Sequence, residues 1–125
     1  MEKITSAQNP KIKNLKKLEK AGERREQGLI LIEGLREAVL AHRAGYTFTA
    51  VFVCDELLKR DGEYSITEIK KGQPEVPVYE VAQSVYDALA YRETTEGVMA
   101  TAKPKSHTLQ SLKLKANPLI LVIEA

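Results

Sequence analysis

The feature that most restricts how this chain can fold is the alternation of two periods along it. Leu29-Ile30-Leu31-Ile32, ending at Glu33-Gly34, is a short, continuous and partly β-branched apolar run that reads as an interior strand. Residues 48–54 read as a second strand, 76–80 as a third, and the small, apolar residues 97–102 as a further one. Between these runs the period changes. Leu35, Ala38, Val39 and His42 recur at i, i+3, i+4 and i+7, and Gly45 stands where a left-handed stop is needed. Residues 55–60 and 66–71 read as short helical pieces around an Asp61-Gly62 turn, and Val81, Val85, Ala88 and Leu89 mark another amphipathic helix. Strands alternating with helices of this length predict an α/β sandwich in which a largely buried sheet is covered on both sides.

Composition narrows the class. A chain of 125 residues with 43% hydrophobic residues can bury one core without staples. No run approaches the ~20 apolar residues needed to cross a bilayer, so a soluble cytoplasmic protein is expected. The single cysteine, Cys54, lies in the apolar run 50–54, where a packed core thiol is the default. His42 and His107 are too few and too isolated for a zinc cluster, and His42 shares the apolar face of its helix as a satisfied core or interface histidine. No nucleophilic triad, metal-ligand spacing, Walker loop or dinucleotide glycine fingerprint can be assembled, and no carboxylates are paired for acid/base work. No catalytic, cofactor-binding or metal-binding residue is therefore expected in this chain.

Charge is unevenly distributed. Residues 1–27 carry eight Lys/Arg against four Asp/Glu, residues 28–102 seven against twelve, and residues 103–117 four against none. Basic ends on a nearly neutral average point to a localised anion-binding surface. Asn9-Pro10 is a helix start, because asparagine suits the N-cap and proline at the first helical position gives up an amide that has no partner there. Ile12, Leu15 and Leu18 fall on one side of that helix, while Lys13, Lys16, Lys17 and Lys20 crowd into an arc of roughly 100° on the other. With Arg24 and Arg25 they make six cations within thirteen residues, and Lys11 precedes them. Lysines so placed repel one another, and a polyanion removes that cost. Arg36 and Arg43, one heptad apart, extend the surface. The Tyr91-Arg92-Glu93-Thr94-Thr95 segment combines an aromatic ring, a cation and two hydroxyls suited to a splayed nucleotide or its 2′-hydroxyl. Glu33 is expected to play a structural role, accepting hydrogen bonds from the amides of the following helix, and Gly97 to allow close backbone approach.

Residues 103–117 are basic and turn-prone and read as an interdomain connector with one helical turn. Pro118 then opens five consecutive apolar residues, Leu119-Ile120-Leu121-Val122-Ile123, which read as a core strand wanting neighbours on both edges. The chain is therefore expected to be a piece of a longer protein, divided into residues 1–102, a linker 103–117 and the start of a second domain at 118–125.

Three stretches together carry a family resemblance: Ile4-Thr5-Ser6-Ala7-Gln8-Asn9-Pro10-Lys11-Ile12-Lys13, then Arg24-Arg25 with Gly28-Leu29-Ile30-Leu31-Ile32-Glu33-Gly34, then Thr94-Thr95-Glu96-Gly97-Val98-Met99-Ala100. In this order and spacing the chain resembles the N-terminal substrate-binding domain of the SpoU (TrmH-like) RNA 2′-O-ribose methyltransferases. The resemblance implies a three-layer α/β sandwich like that of ribosomal-protein-like RNA binders, with a mixed sheet covered by helices on both faces. It implies RNA as the partner, with ribosomal RNA the expected target, held by Lys11, Lys13, Lys16, Lys17, Lys20, Arg24, Arg25, Arg36, Arg92, Thr94 and Thr95. Glu33, Gly34 and Gly97 would be structural. It further implies a SPOUT domain beyond Ala125 that binds S-adenosylmethionine, forms a homodimer and carries the catalytic residues, so that this piece alone would be inactive. The alternative from the residues themselves is a stand-alone, non-enzymatic RNA-binding module of the ribosomal-protein type.

Overall fold

The structure is a computed structural model and describes residues 1–60, 62–89 and 95–124. In chain order the elements are β1 (Lys3–Ile4), α1 (Pro10–Lys17), α2 (Ala21–Gln27), β2 (Ile30–Glu33), α3 (Leu35–Arg43), β3 (Phe48–Val53), α4 (Ile66–Gly72), β4 (Val78–Val81), α5 (Gln83–Leu89) and β5 (Val98–Ala102). One mixed sheet runs in the order β1-β4-β3-β5-β2. β1, β4 and β3 are parallel to one another, and β5 is antiparallel to both β3 and β2.

Side-chain alternation along the strands builds two cores. Val51 and Val53 of β3 and Val98, Ala100 and Ala102 of β5 pack with Leu35, Ala38, Val39, Ile66 and Ile69 under α3 and α4. Phe52 and Met99 point the other way, joining Ile12, Leu15, Val85, Tyr86 and Leu89 under α1 and α5. Each such aliphatic or aromatic side chain contributes about 2 kcal/mol on burial, which makes the helical layers the main source of stability. Cys54 is fully buried in the second core, where desolvation, followed by its hydrogen bond to Glu56, pushes the thiol up.

Three local expectations change. β2 is an edge strand, paired only with β5. Its apolar run reflects cover on both faces, with Ile32 in one core and Leu31 against the other, rather than neighbours on both edges. Residues 55–60 form a turn closed by Leu57 N–H to Cys54 O (3.1 Å) instead of a helical piece, since this backbone packs against Gly97. Residues 118–124 form no strand: Leu119 is 99% exposed, and none of the described residues pairs with the run through a backbone ladder. A strand needs a partner for its backbone groups, and among the described residues this run has none. Residues 103–117 do contain one helical turn, a 3₁₀ turn at Leu109–Ser111 held by reciprocal Thr108 and Ser111 bonds.

The α3–β3 corner is tied by one side chain. Gln73 Oε1 accepts from Phe48 N–H (2.9 Å), while its Nε2 donates to Tyr46 O (3.0 Å) and lies 3.0 Å from His42 Nδ1. His42 is half-buried and edge-on to Phe48, which makes it an interface histidine. Gln73→Ala strands a backbone donor and a backbone acceptor, so we expect a loss of about 2 kcal/mol in urea unfolding, with unchanged circular dichroism of the folded state.

Candidate nucleic-acid interface

Asn9 caps α1 as its sequence predicts, its Oδ1 accepting from Lys11 N–H at 2.9 Å with Pro10 at the first helical position. Ile12 and Leu15 are buried, while Lys13, Lys16 and Lys17 are exposed on the outside. The helix stops at Lys17. The Arg24 guanidinium donates to Leu18 O (2.8 Å) and Glu19 O (2.7 Å), sealing the turn into α2, and the amides of Asn14 and Gln27 pair reciprocally across the two helices. Lys20 therefore sits at the N-cap of α2 rather than on the last turn of α1. Lys13, Lys16, Lys17, Lys20 and Arg25 are all exposed and make no ion pair among the described residues. Lys11 differs: it is half-buried, 3.8 Å from Glu2 and 5.1 Å from the Tyr79 ring centroid.

The other expected residues are spread over the fold. Arg36 is exposed on α3, which covers the opposite face of the sheet from α1. Arg43, on the same helix, is engaged in a bidentate pair with Glu68 (2.8 and 3.0 Å) and lies 5.5 Å over the Tyr64 ring, so it clamps α3 to α4. Tyr91, Arg92 and Thr94 lie outside the described residues. Thr95 is 3% exposed, and its Oγ1 accepts from Tyr86 Oη at 2.5 Å, so this hydroxyl belongs to the interior and not to an open RNA-contacting loop. Burial pushes the Tyr86 phenol up to about 12, with the nearby negative charges of Glu33 and Asp87 adding to the shift, so it stays protonated as the donor. Glu33 ends β2 opposite Met99, Gly34 starts α3 with its N–H on Val98 O (2.8 Å), and the carboxylate of Glu37 lies over Gly34. Gly97 has φ of 79°, and a Cβ there would stand 2.7 Å from Cys54 O and 2.9 Å from Leu58 N.

The Arg43 hydrogen bonds hold the Glu68 carboxyl below its ordinary value. A depressed folded value gives stability that is present above the unfolded value near 4.3 and is lost as pH falls through the folded one. Glu68→Gln is expected to flatten the acid limb of the stability profile below about pH 5 while removing some stability at neutral pH, read by thermal unfolding across pH.

Among the described residues, no group of histidines, cysteines and carboxylates could hold a metal ion, and no helix is long and apolar enough to cross a membrane. The arrangement sets exposed lysines along α1 and into the turn before α2. Groups of this kind attract anions, phosphate among them.

Comparison with known proteins agrees with the resemblance read from the sequence. The family model described as the MRM3-like substrate binding domain matches residues 9–100. A crystal structure of an RNA 2′-O ribose methyltransferase is 29% identical over 94% of this chain and 43% of its own, with a TM-score of 0.73. An rRNA methyltransferase from Sinorhizobium meliloti (17% identity, TM-score 0.67) is matched over 89% of this chain and 40% of its own. The SpoU methyltransferase AviRb from Streptomyces viridochromogenes, solved with AdoMet (16%, TM-score 0.66), is matched over 89% and 39%. These last two share the fold. The chain thus spans about two fifths of the length of these solved structures. No curated protein matches it. With residues 9–100 of 125 accounted for by one family, and a five-stranded sandwich shared with solved SpoU enzymes, the chain belongs to the MRM3-like substrate-binding domain family.

Proposed function

We propose that this domain holds structured RNA, with ribosomal RNA as the expected target, so that one ribose is presented for 2′-O-methylation by another domain of the whole enzyme. The observation that carries this reading is the ridge of exposed lysines at 13, 16, 17 and 20, without an ion pair among the described residues, on a domain of a substrate-binding family. Arg25 adds a fifth exposed cation and Arg36 one on the opposite layer. Arg24 contributes through the turn it seals, and Arg92 and Thr94 extend the proposed contact. Phosphate neutralisation supplies affinity that is independent of sequence, and holding the ribose in place supplies the proximity part of catalysis.

The whole enzyme is proposed to take its methyl group from S-adenosylmethionine in a second domain entered through residues 103–117 and beginning at 118–125, and to act as a homodimer through it. That AviRb was solved with AdoMet supports the choice of cofactor. We assign the cofactor no residue of this chain.

The test is methyl transfer from labelled S-adenosylmethionine to total ribosomal RNA, run with the whole protein and with the 125-residue chain. Transfer by the whole protein alone, mapped to a ribose resistant to alkaline cleavage, is the expected result. Methylation of a base, or RNA binding by the whole protein without transfer, would overturn it, the latter in favour of a non-enzymatic RNA-binding module.

A further inference from the structure

The α1 side of the sheet is not fully roofed. Between α1 and the strands lies a cleft of about 220 Å³ lined by Lys11, Thr49, Ala50, Phe52, Tyr79 and Thr101. Its shape comes from a β-bulge. Phe48 pairs with Ala102 but Ala50 with Thr101, so Thr49 is an extra residue, and both Thr49 and Ala50 line the cleft where strict alternation would send only one of them there. Bulges concentrate beside functional sites because they re-aim side chains. Here the bulge brings Thr49 Oγ1 to 2.6 Å from Thr101 Oγ1. Two hydroxyls sharing one bond keep one spare donor hydrogen and several acceptor lone pairs.

Beside this hydroxyl pair stands an aromatic one. The Phe52 and Tyr79 rings, both lining the cleft, lie 5.4 Å apart at 35°, with Tyr79 half-buried and Lys11 Nζ over its ring at 5.1 Å from the centroid. An aromatic surface, a small set of hydrogen-bonding groups and a cation at the rim are what an unstacked base needs. Lys11 is a cation of the cleft's own lining, and the exposed Lys13, Lys16 and Lys17 lie on the same helix. Charge complementarity therefore selects a polyanion carrying flat rings over an apolar protein segment.

We propose that this cleft takes one unstacked nucleobase of the RNA held on α1, an inference that rests on the RNA-binding reading above. The test compares two RNA oligomers of equal length and phosphate number, one with bases and one abasic at its central positions, by fluorescence anisotropy with the full 125-residue chain. The wild type is expected to favour the base-bearing oligomer about tenfold, the scale of one stacked base. In Tyr79→Leu, which removes the aromatic plane, and Ala50→Leu, which fills the floor, that ratio should fall towards one. A ratio near one in the wild type, or an unchanged ratio in correctly folded variants, overturns the proposal. Should a variant not fold, photocrosslinking of a 4-thiouridine oligomer to the wild type decides: adducts within residues 48–54, 77–81 or 99–103 are expected, and adducts confined to other segments contradict it. If neither oligomer binds at low salt, the RNA-binding reading itself fails, and the cleft proposal with it. A change in self-association of the variants with the ratio intact would assign the cleft to a protein contact and overturn it too.

Discussion

Replacing Lys13, Lys16, Lys17 and Lys20 together by glutamine is expected to weaken RNA binding by on the order of 10³-fold at about 0.1 M salt. Each phosphate neutralised on a duplex contributes a slope of about −0.9 to the dependence of log K on log salt, so losing four contacts should make the line shallower by about 3 to 4. Stability should move the other way. Lys13 faces Lys16 and Lys17 at three- and four-residue spacing along α1, and relieving two like-charge pairs is worth a few tenths of a kcal/mol each. A variant slightly more stable yet far weaker in binding is the signature of a surface kept cationic for a ligand. Variants that lose binding and stability together would instead place the lysines in the fold.

Gly97→Ala is expected to cost about 3 kcal/mol, roughly 10 °C in melting temperature for a chain of this size. Two causes add. The left-handed φ of 79° strains any residue with a Cβ by about 1–2 kcal/mol, and the new methyl meets backbone of the 54–58 turn, which cannot swing aside as a side chain would. The turn is itself fixed by Cys54 N–H to Gly97 O at 2.8 Å. Gly22→Ala is the contrasting substitution. Gly22 lies within α2, and an added methyl there would meet nothing within 4 Å, so alanine should gain up to about 1 kcal/mol of helix propensity. Thermal unfolding of both, with opposite signs, separates conformational strain from a general intolerance of added bulk.

Local chemistry was legible in the sequence wherever it acts over a few residues. Asn9 and Pro10 announce the start of α1, the short apolar runs announce β2, β3, β4 and β5, and the apolar arc of α3 places His42 at an interface. What the sequence conceals depends on partners distant along the chain. The helix break at Leu18 carries no glycine or proline; it is sealed by the Arg24 guanidinium six residues on, so one continuous cationic helix is the natural but incomplete reading. β2 looks interior because helices cover both its faces, and strand order alone reveals it as an edge. Thr95 resembles a loop hydroxyl until Tyr86, a turn of helix and a connection earlier, is found to donate to it. The Thr49 bulge is a relation between two strands and has no mark in either one.

Amide chemical-shift mapping by NMR tests the central claim most directly, since it asks which surface meets the RNA. Titrating the 125-residue chain with a ribosomal RNA fragment at low salt is predicted to perturb the amides of residues 10–28 first and most strongly, and the effect should fade as salt is raised. Perturbations confined to the α3–α4 layer, or none at all with RNA in excess, would contradict the account.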